Sequence, residues 1–326
     1  MRALVAERGA ARLERRHPVP AAREGEAILR VTRAAASRLE VEAASGLFGF
    51  TGVPGCDGVG VVETGGGRKL AGKRVVFSPV VSCGRCALCT RGLPVHCRKR
   101  EVTGLLGRDG VLAERVAVPT RNLVEVPENV DDDRAVFAHA VGAALQASRQ
   151  LRIEGKPYIT VLGDGHLGLI TVQILARLNA SVRLLGRFSE KLALCEKWGV
   201  KHRHIDDVGR RADQDIVVDC TGAPDGLELA MRLVRPRGKI LLKSLMSQPT
   251  LQGAGAVGGV DLSPLVASEV ELIGSFGGSV ADGLRLIEQG RVDVVSLITR
   301  RMRLDDGPAI LRAAGSPESI RVLVTP

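Results

Sequence analysis

A glycine-rich run, Gly163-Asp164-Gly165-His166-Leu167-Gly168, directly follows the apolar segment Tyr158-Ile159-Thr160-Val161-Leu162 and opens a helical pattern over residues 166–178. Strand, GxGxxG and helix in that order make a tight turn whose backbone can approach a pyrophosphate at a helix N-terminus. The rhythm continues downstream. Apolar strands at 181–185, 215–219, 239–242 and 270–273 alternate with amphipathic helices, one of which holds Lys191-Leu192-Ala193-Leu194. This predicts an α/β fold with a doubly wound parallel sheet. Gly163, Gly165, His166, Leu167 and Gly168 are the candidate dinucleotide-binding residues, joined by Gly222 beyond the strand at 215–219. The glycine-rich stretch at 252–259 reads as a loop.

Cofactor choice is legible about 20 residues past the glycines, where an acidic side chain would accept the ribose hydroxyl of NAD. The chain has Leu185-Gly186-Arg187-Phe188-Ser189-Glu190-Lys191 there. Gly186 removes the carboxylate that would repel a 2′-phosphate, and Arg187, Ser189 and Lys191 are suited to bind one. NADP(H) is the expected cofactor, with NAD as the alternative.

The preceding part, to about residue 125, is β-rich. Segments at 27–31, 58–62, 74–77 and 115–118 are separated by Gly and Pro punctuation, the spacing of a small barrel. A helix with acidic residues in its first turn then starts at Asp131 and runs toward Gln150. Inside the β-rich part lies CGRCALCTRGLPVHC, which carries Cys83, Cys86, Cys89 and Cys97. Four thiolates at this spacing can close around one tetrahedral Zn²⁺ and leave no position for water, so the zinc expected here is structural.

Composition narrows the functional classes. Of 326 residues 45% are apolar and 25% charged, enough to fill one large or two ordinary domains. The formal charge of +10 is scattered, and eight aromatic residues leave little for stacking on bases, so no nucleic-acid partner is expected. No apolar run approaches the roughly 18 residues of a membrane span, and the first eight residues are too charged for a secretory signal. A soluble cytoplasmic protein with a small-molecule substrate is expected, with no membrane partner.

A β-rich part, a four-cysteine lobe, a GxGxxG unit and a closing segment Glu318-Ser319-Ile320-Arg321-Val322-Leu323-Val324 resemble the medium-chain dehydrogenase/reductase (MDR) superfamily, in particular its zinc-dependent alcohol dehydrogenase branch. The resemblance covers essentially the whole chain. It implies a GroES-like β-barrel catalytic domain over 1–139 with the cysteine lobe, a Rossmann domain over 140–275, and a return segment over 276–326. It also implies hydride transfer in an interdomain cleft and a homodimer or homotetramer.

The resemblance breaks at the catalytic zinc. The family's first ligand is a Cys, and Ser37 stands there; the relay hydroxyl two residues on is Leu39, and the relay histidine position is Glu42. The family's Gly-His-Glu is Gly55-Cys56-Asp57, and the position after the barrel is His139. Two alternatives follow. Cys56, Asp57 and His139, with Ser37 or water, form a rewritten zinc site in an alcohol or polyol dehydrogenase. Otherwise the catalytic zinc is lost and the same residues line a zinc-free pocket, which suits reduction of an activated double bond or quinone. The second alternative is expected, with His139 or Cys56 as proton donor and Asp57 orienting it. A non-redox nucleotide-binding descendant is the reading from another class.

Overall fold

A computed structural model describes residues 1–7, 9–209, 211–245 and 260–326; the glycine-rich stretch at 252–259 lies outside them. The chain forms two compact units, Met1–His139 with Ser279–Gly290 and Leu297–Pro326, and Ala140–Gly278 with Arg291–Ser296. The return was expected at 276 as one piece. Instead 276–278 and 291–296 group with the second unit, where Asp293 is tied to Gln173, Lys197 and Trp198.

The first unit is built on a seven-stranded sheet. Its path runs Leu123–Glu125, Arg74–Phe77, Asp57–Thr64, Glu26–Ala36, Arg321–Thr325, Ile298–Arg303, and Arg115–Pro119 also pairs with Glu26–Ala36. The strand Glu26–Ala36 is buried on both faces over most of its length, and its three terminal alanines let neighbouring layers close tightly. Register then fixes the geometry of the site. Ala35 faces Asp57 on one neighbour, and Ala36 faces Val322 on the other. Ser37, Asp57 and Arg321 therefore reach one end of three adjacent strands.

The helix Arg38–Ala44 starts where the strand ends because Ser37 caps it. The Ser37 hydroxyl accepts the Leu39 N–H, and Glu40 accepts the Ser37 N–H at 2.8 Å, a reciprocal capping box. The acidic segment after residue 131 yields two helices, Asp132–Ala135 and Ala138–Gln150, in place of the single one expected.

The second unit carries six parallel strands in the order Lys201–His204, Ser181–Gly186, Tyr158–Leu162, Gln214–Asp219, Val234–Leu242, Glu271–Gly274. In sequence order this is 3-2-1-4-5-6, so the sheet reverses beside Tyr158–Leu162, where such folds open a crevice at the strands' carboxyl ends. The helix His166–Leu175 follows the first strand and buries eight of its ten residues, ending three residues short of the expected 178.

Candidate active site

Six residues of the first unit converge at the end of its central strands. Asp57 opens its strand 6% exposed, and its Oδ1 lies 2.7 Å from Nδ1 of His139. Its other oxygen accepts from Arg321, a fully buried arginine whose guanidinium also lies 5.9 Å from the Phe137 ring centroid. Glu40, 1% exposed, accepts from the Ser37 hydroxyl at 2.9 Å and from the Cys56 N–H at 3.4 Å. Burial raises the carboxyl pKa of Glu40, opposed by the charge of Arg321. Burial also pushes the Cys56 thiol well above its ordinary value, with Glu40 and Asp57 adding to the effect.

The candidates Ser37, Cys56, Asp57 and His139 thus meet in one place, in two separate arrangements. Asp57 and His139 form a dyad anchored by Arg321. Ser37 points its hydroxyl at Glu40, and Cys56 packs with Ala43, Phe50, Val80, Val102 and Leu105 as a small apolar residue. Sequence reasoning missed Glu40 and Arg321 as site members. The Ser37-Arg38-Leu39-Glu40 spacing, Ser-x-x-Glu, was the available signal for the first; an arginine inside a closing apolar strand was the signal for the second.

The cysteine lobe converges more tightly. Ligand atoms of Cys83, Cys86, Cys89 and Cys97 all lie within 4.8 Å of one another, the one such group of three or more among the described residues. Four of the six Sγ–Sγ separations, 3.5, 3.5, 3.8 and 4.0 Å, bracket the tetrahedron edge of about 3.8 Å that Zn–S bonds of about 2.3 Å require. Backbone and side-chain hydrogen bonds from Cys89 hold the Cys86 thiol down at about 6. The Lys99 N–H donates to Cys97 Sγ at 3.4 Å. Cys89 shifts the other way, to about 11, raised by burial and by the hydrogen bonds to Cys86 and Cys97, so it is the spacing of the four sulfurs that makes the lobe a metal cage.

In the second unit the glycine loop is shaped as a cradle. Gly163 has φ +102°, and a Cβ on Gly168 would sit 1.9 Å from the Gly163 carbonyl oxygen. Gly165 caps the helix that begins at His166 and continues through Leu167, with open space where its own side chain would be. Gly222 has φ +66° and lies under the Leu245 carbonyl. The loop fits a pyrophosphate at a helix N-terminus.

At the end of the second strand the structure shows something the sequence did not disclose. Asp164 is 8% exposed and accepts the backbone N–H groups of Arg187 and Phe188 at 2.7 and 2.9 Å. A Cβ on Gly186 would lie 2.6 Å from the Asp164 carboxylate, so glycine is required there. Arg187 is 60% exposed and paired with Asp225, and Ser189 starts the next helix in an exposed position. Lys191 is buried, with its ammonium 4.6 Å from the Phe188 ring centroid, and does not stand exposed as Arg187 does. Arg187, Phe188, His204 and Arg232 line a cavity of about 650 Å³.

Comparison with known proteins places these features. Residues 23–128 match the alcohol dehydrogenase GroES-like domain and residues 167–289 the zinc-binding dehydrogenase domain. The chain is 26% identical over 270 residues to L-idonate 5-dehydrogenase of Vitis vinifera, covering 76% of this chain and 71% of that one. It is 25% identical over 284 residues to sorbitol dehydrogenase of Halalkalibacterium halodurans, covering 82% and 80%. A Sinorhizobium meliloti protein described as a zinc-binding dehydrogenase, solved with NADP, superposes with TM-score 0.86 at 24% identity, covering 100% of this chain and 99% of that one. With both domain models matched in the expected order, the chain belongs to the zinc-dependent alcohol dehydrogenase-like branch of the MDR superfamily, a family of oxidoreductases.

Proposed function

We propose that the protein is an NADP(H)-dependent oxidoreductase that transfers hydride to or from a small organic substrate, with a structural zinc on the cysteine lobe and no zinc at the reaction centre. One observation carries the last point: both Asp57 oxygens are occupied, one by His139 and one by Arg321. Ser37 is turned to Glu40 and Cys56 is packed among apolar side chains, so each residue that would replace the family's ligands is engaged with other partners. Cys83, Cys86, Cys89 and Cys97 would hold the structural metal.

When bound, the nicotinamide ring supplies or takes the hydride. The chain must handle the proton. With Nδ1 of His139 turned to Asp57, Nε2 is left to carry a proton to or from substrate. Without a Lewis acid this suits an activated double bond, quinone or carbonyl better than an unactivated alcohol. Arg187 and the cavity it lines, with Ser189 exposed at the start of the next helix, support the 2′-phosphate assignment. The reading includes a homodimer or homotetramer in the cytoplasm with neither nucleic-acid nor membrane partner; no helix among the described residues is long and apolar enough to cross a membrane.

Metal analysis and kinetics test it together. The expected result is about one zinc per chain, NADPH bound more tightly than NADH, and a His139→Gln variant that keeps its zinc but loses about 10²–10⁴ in kcat. About two zinc ions per chain would favour the second reading, a polyol dehydrogenase with a metal on Cys56, Asp57 and His139, which the polyol-dehydrogenase relatives support. Absence of binding to either nucleotide would overturn both oxidoreductase readings.

A further inference from the structure

Lys243 follows directly on the strand Val234–Leu242 in the second unit. It is held from both sides. Its N–H donates to the Asp219 carbonyl at 2.8 Å, and its ammonium donates to the Ser275 hydroxyl at 3.1 Å and the Gly277 carbonyl at 3.4 Å. The residue is 8% exposed. Each of these partners is neutral.

The groups packed nearest leave the ammonium uncompensated. The Cys220 thiol, at the end of the strand Gln214–Asp219, is pushed up to about 12 by burial and stays uncharged. The Asp219 carboxylate is turned to the N–H and hydroxyl of Thr221, at 2.8 and 2.6 Å. Among the described residues no carboxylate pairs with Lys243, and the sequence from 246 to 259 contains neither Asp nor Glu. Burial lowers the Lys243 pKa to about 8. A buried, unpaired cation is costly to keep, and such groups concentrate where a ligand uses them.

Its place in the sheet says which ligand. In a 3-2-1-4-5-6 sheet the first three strands take one mononucleotide of a dinucleotide and the last three the other, at their carboxyl ends. The glycine loop and Arg187 belong to the first half, so Lys243 belongs to the half that receives nicotinamide. We propose that Lys243 sets the redox preference of the cofactor: its ammonium disfavours the positively charged oxidised ring and favours the neutral reduced ring, biasing the protein toward substrate reduction. In that direction a hydride, with its electron pair, leaves the reduced ring for the substrate and His139 adds a proton. If the nicotinamide is held at this half of the sheet, the Lys243 ammonium would oppose the positive charge of the oxidised form and so promote its release.

The inference rests on the nucleotide reading above, and titration calorimetry separates the two. Full-length zinc-loaded wild type at pH 7 is expected to bind NADPH about tenfold or more tightly than NADP⁺. Lys243→Met should bring the two affinities within about twofold of each other, and Lys243→Arg should preserve the preference. In wild type the preference should fade as pH rises through about 8, where the ammonium deprotonates, and in Lys243→Met it should be flat. Binding of 2′,5′-ADP, which lacks nicotinamide, should be equal in all three proteins. A preference that survives in Lys243→Met, or a matching loss of 2′,5′-ADP binding, overturns the role of Lys243 while leaving the nucleotide reading intact. No binding of NADPH or 2′,5′-ADP to wild type overturns both.

Discussion

Gly186 looked in the sequence like a carboxylate deleted to admit a 2′-phosphate, and the structure gives a second reason for it. Asp164 reaches across from the glycine loop and occupies the volume that a side chain at 186 would need. A carboxylate is therefore present at the end of this strand, used up on two backbone N–H groups, and the Arg187 side chain is left to the exterior. Changing cofactor preference by Gly186→Asp alone would place two carboxylates in one space. We expect it to lower unfolding free energy by about 1–3 kcal/mol in denaturant titrations, through overpacking and like-charge contact. Asp164→Gly combined with Gly186→Asp should recover most of that loss, a coupling that a double-mutant cycle reads directly. Equal losses in the single and double variants would show that Asp164 does not dictate the glycine.

The element that most affects the reaction centre is the short helix Arg38–Ala44, because its cap and the site share residues. Ser37 is at once the residue in place of the family's first zinc ligand and the N-cap, and Glu40 is both the box partner and a buried acid beside Arg321. Ser37→Ala should cost about 1–2 kcal/mol of stability, measured by chemical denaturation, since it removes a cap and leaves Glu40 short of a donor. A cost under a few tenths of a kcal/mol would mean that the cap contributes nothing. Much of the element layout was legible. The strands Arg74–Phe77 and Tyr158–Leu162 agree to the residue with their sequence patterns, because Gly or Pro punctuation and β-branched runs mark them locally. The four-cysteine cluster was legible for the same reason, since spacing alone brings its sulfurs together. Glu40, Arg321, Asp164 and Lys243 were not, because their roles depend on strand register and on burial, which no local pattern encodes.

At the scale of the molecule, the second unit draws in a six-residue piece, Arg291–Ser296, from the return segment. Asp293 secures it, accepting from Lys197 at 2.9 Å, the Trp198 indole at 3.1 Å and the Ser296 hydroxyl at 2.7 Å. These donors outweigh burial and bring its carboxyl down to about 2. A depressed acid stabilises the folded state above its unfolded pKa of about 4 and loses that contribution as pH falls through about 2. Discounted for partial exposure, the contribution is about 1–2 kcal/mol. Asp293→Asn should therefore be less stable than wild type at pH 7 and converge with it toward pH 2; a constant difference across that range would rule out the carboxylate as the source. A different consequence follows from Arg321. It lies 264 residues after Asp57, with the whole nucleotide-type unit encoded between them. During synthesis Asp57 and Glu40 must wait for the Arg321 guanidinium until the 264 residues that follow Asp57 have been made, so the reaction centre comes into being only after the nucleotide-type unit has been synthesised, however early the strands around it have paired.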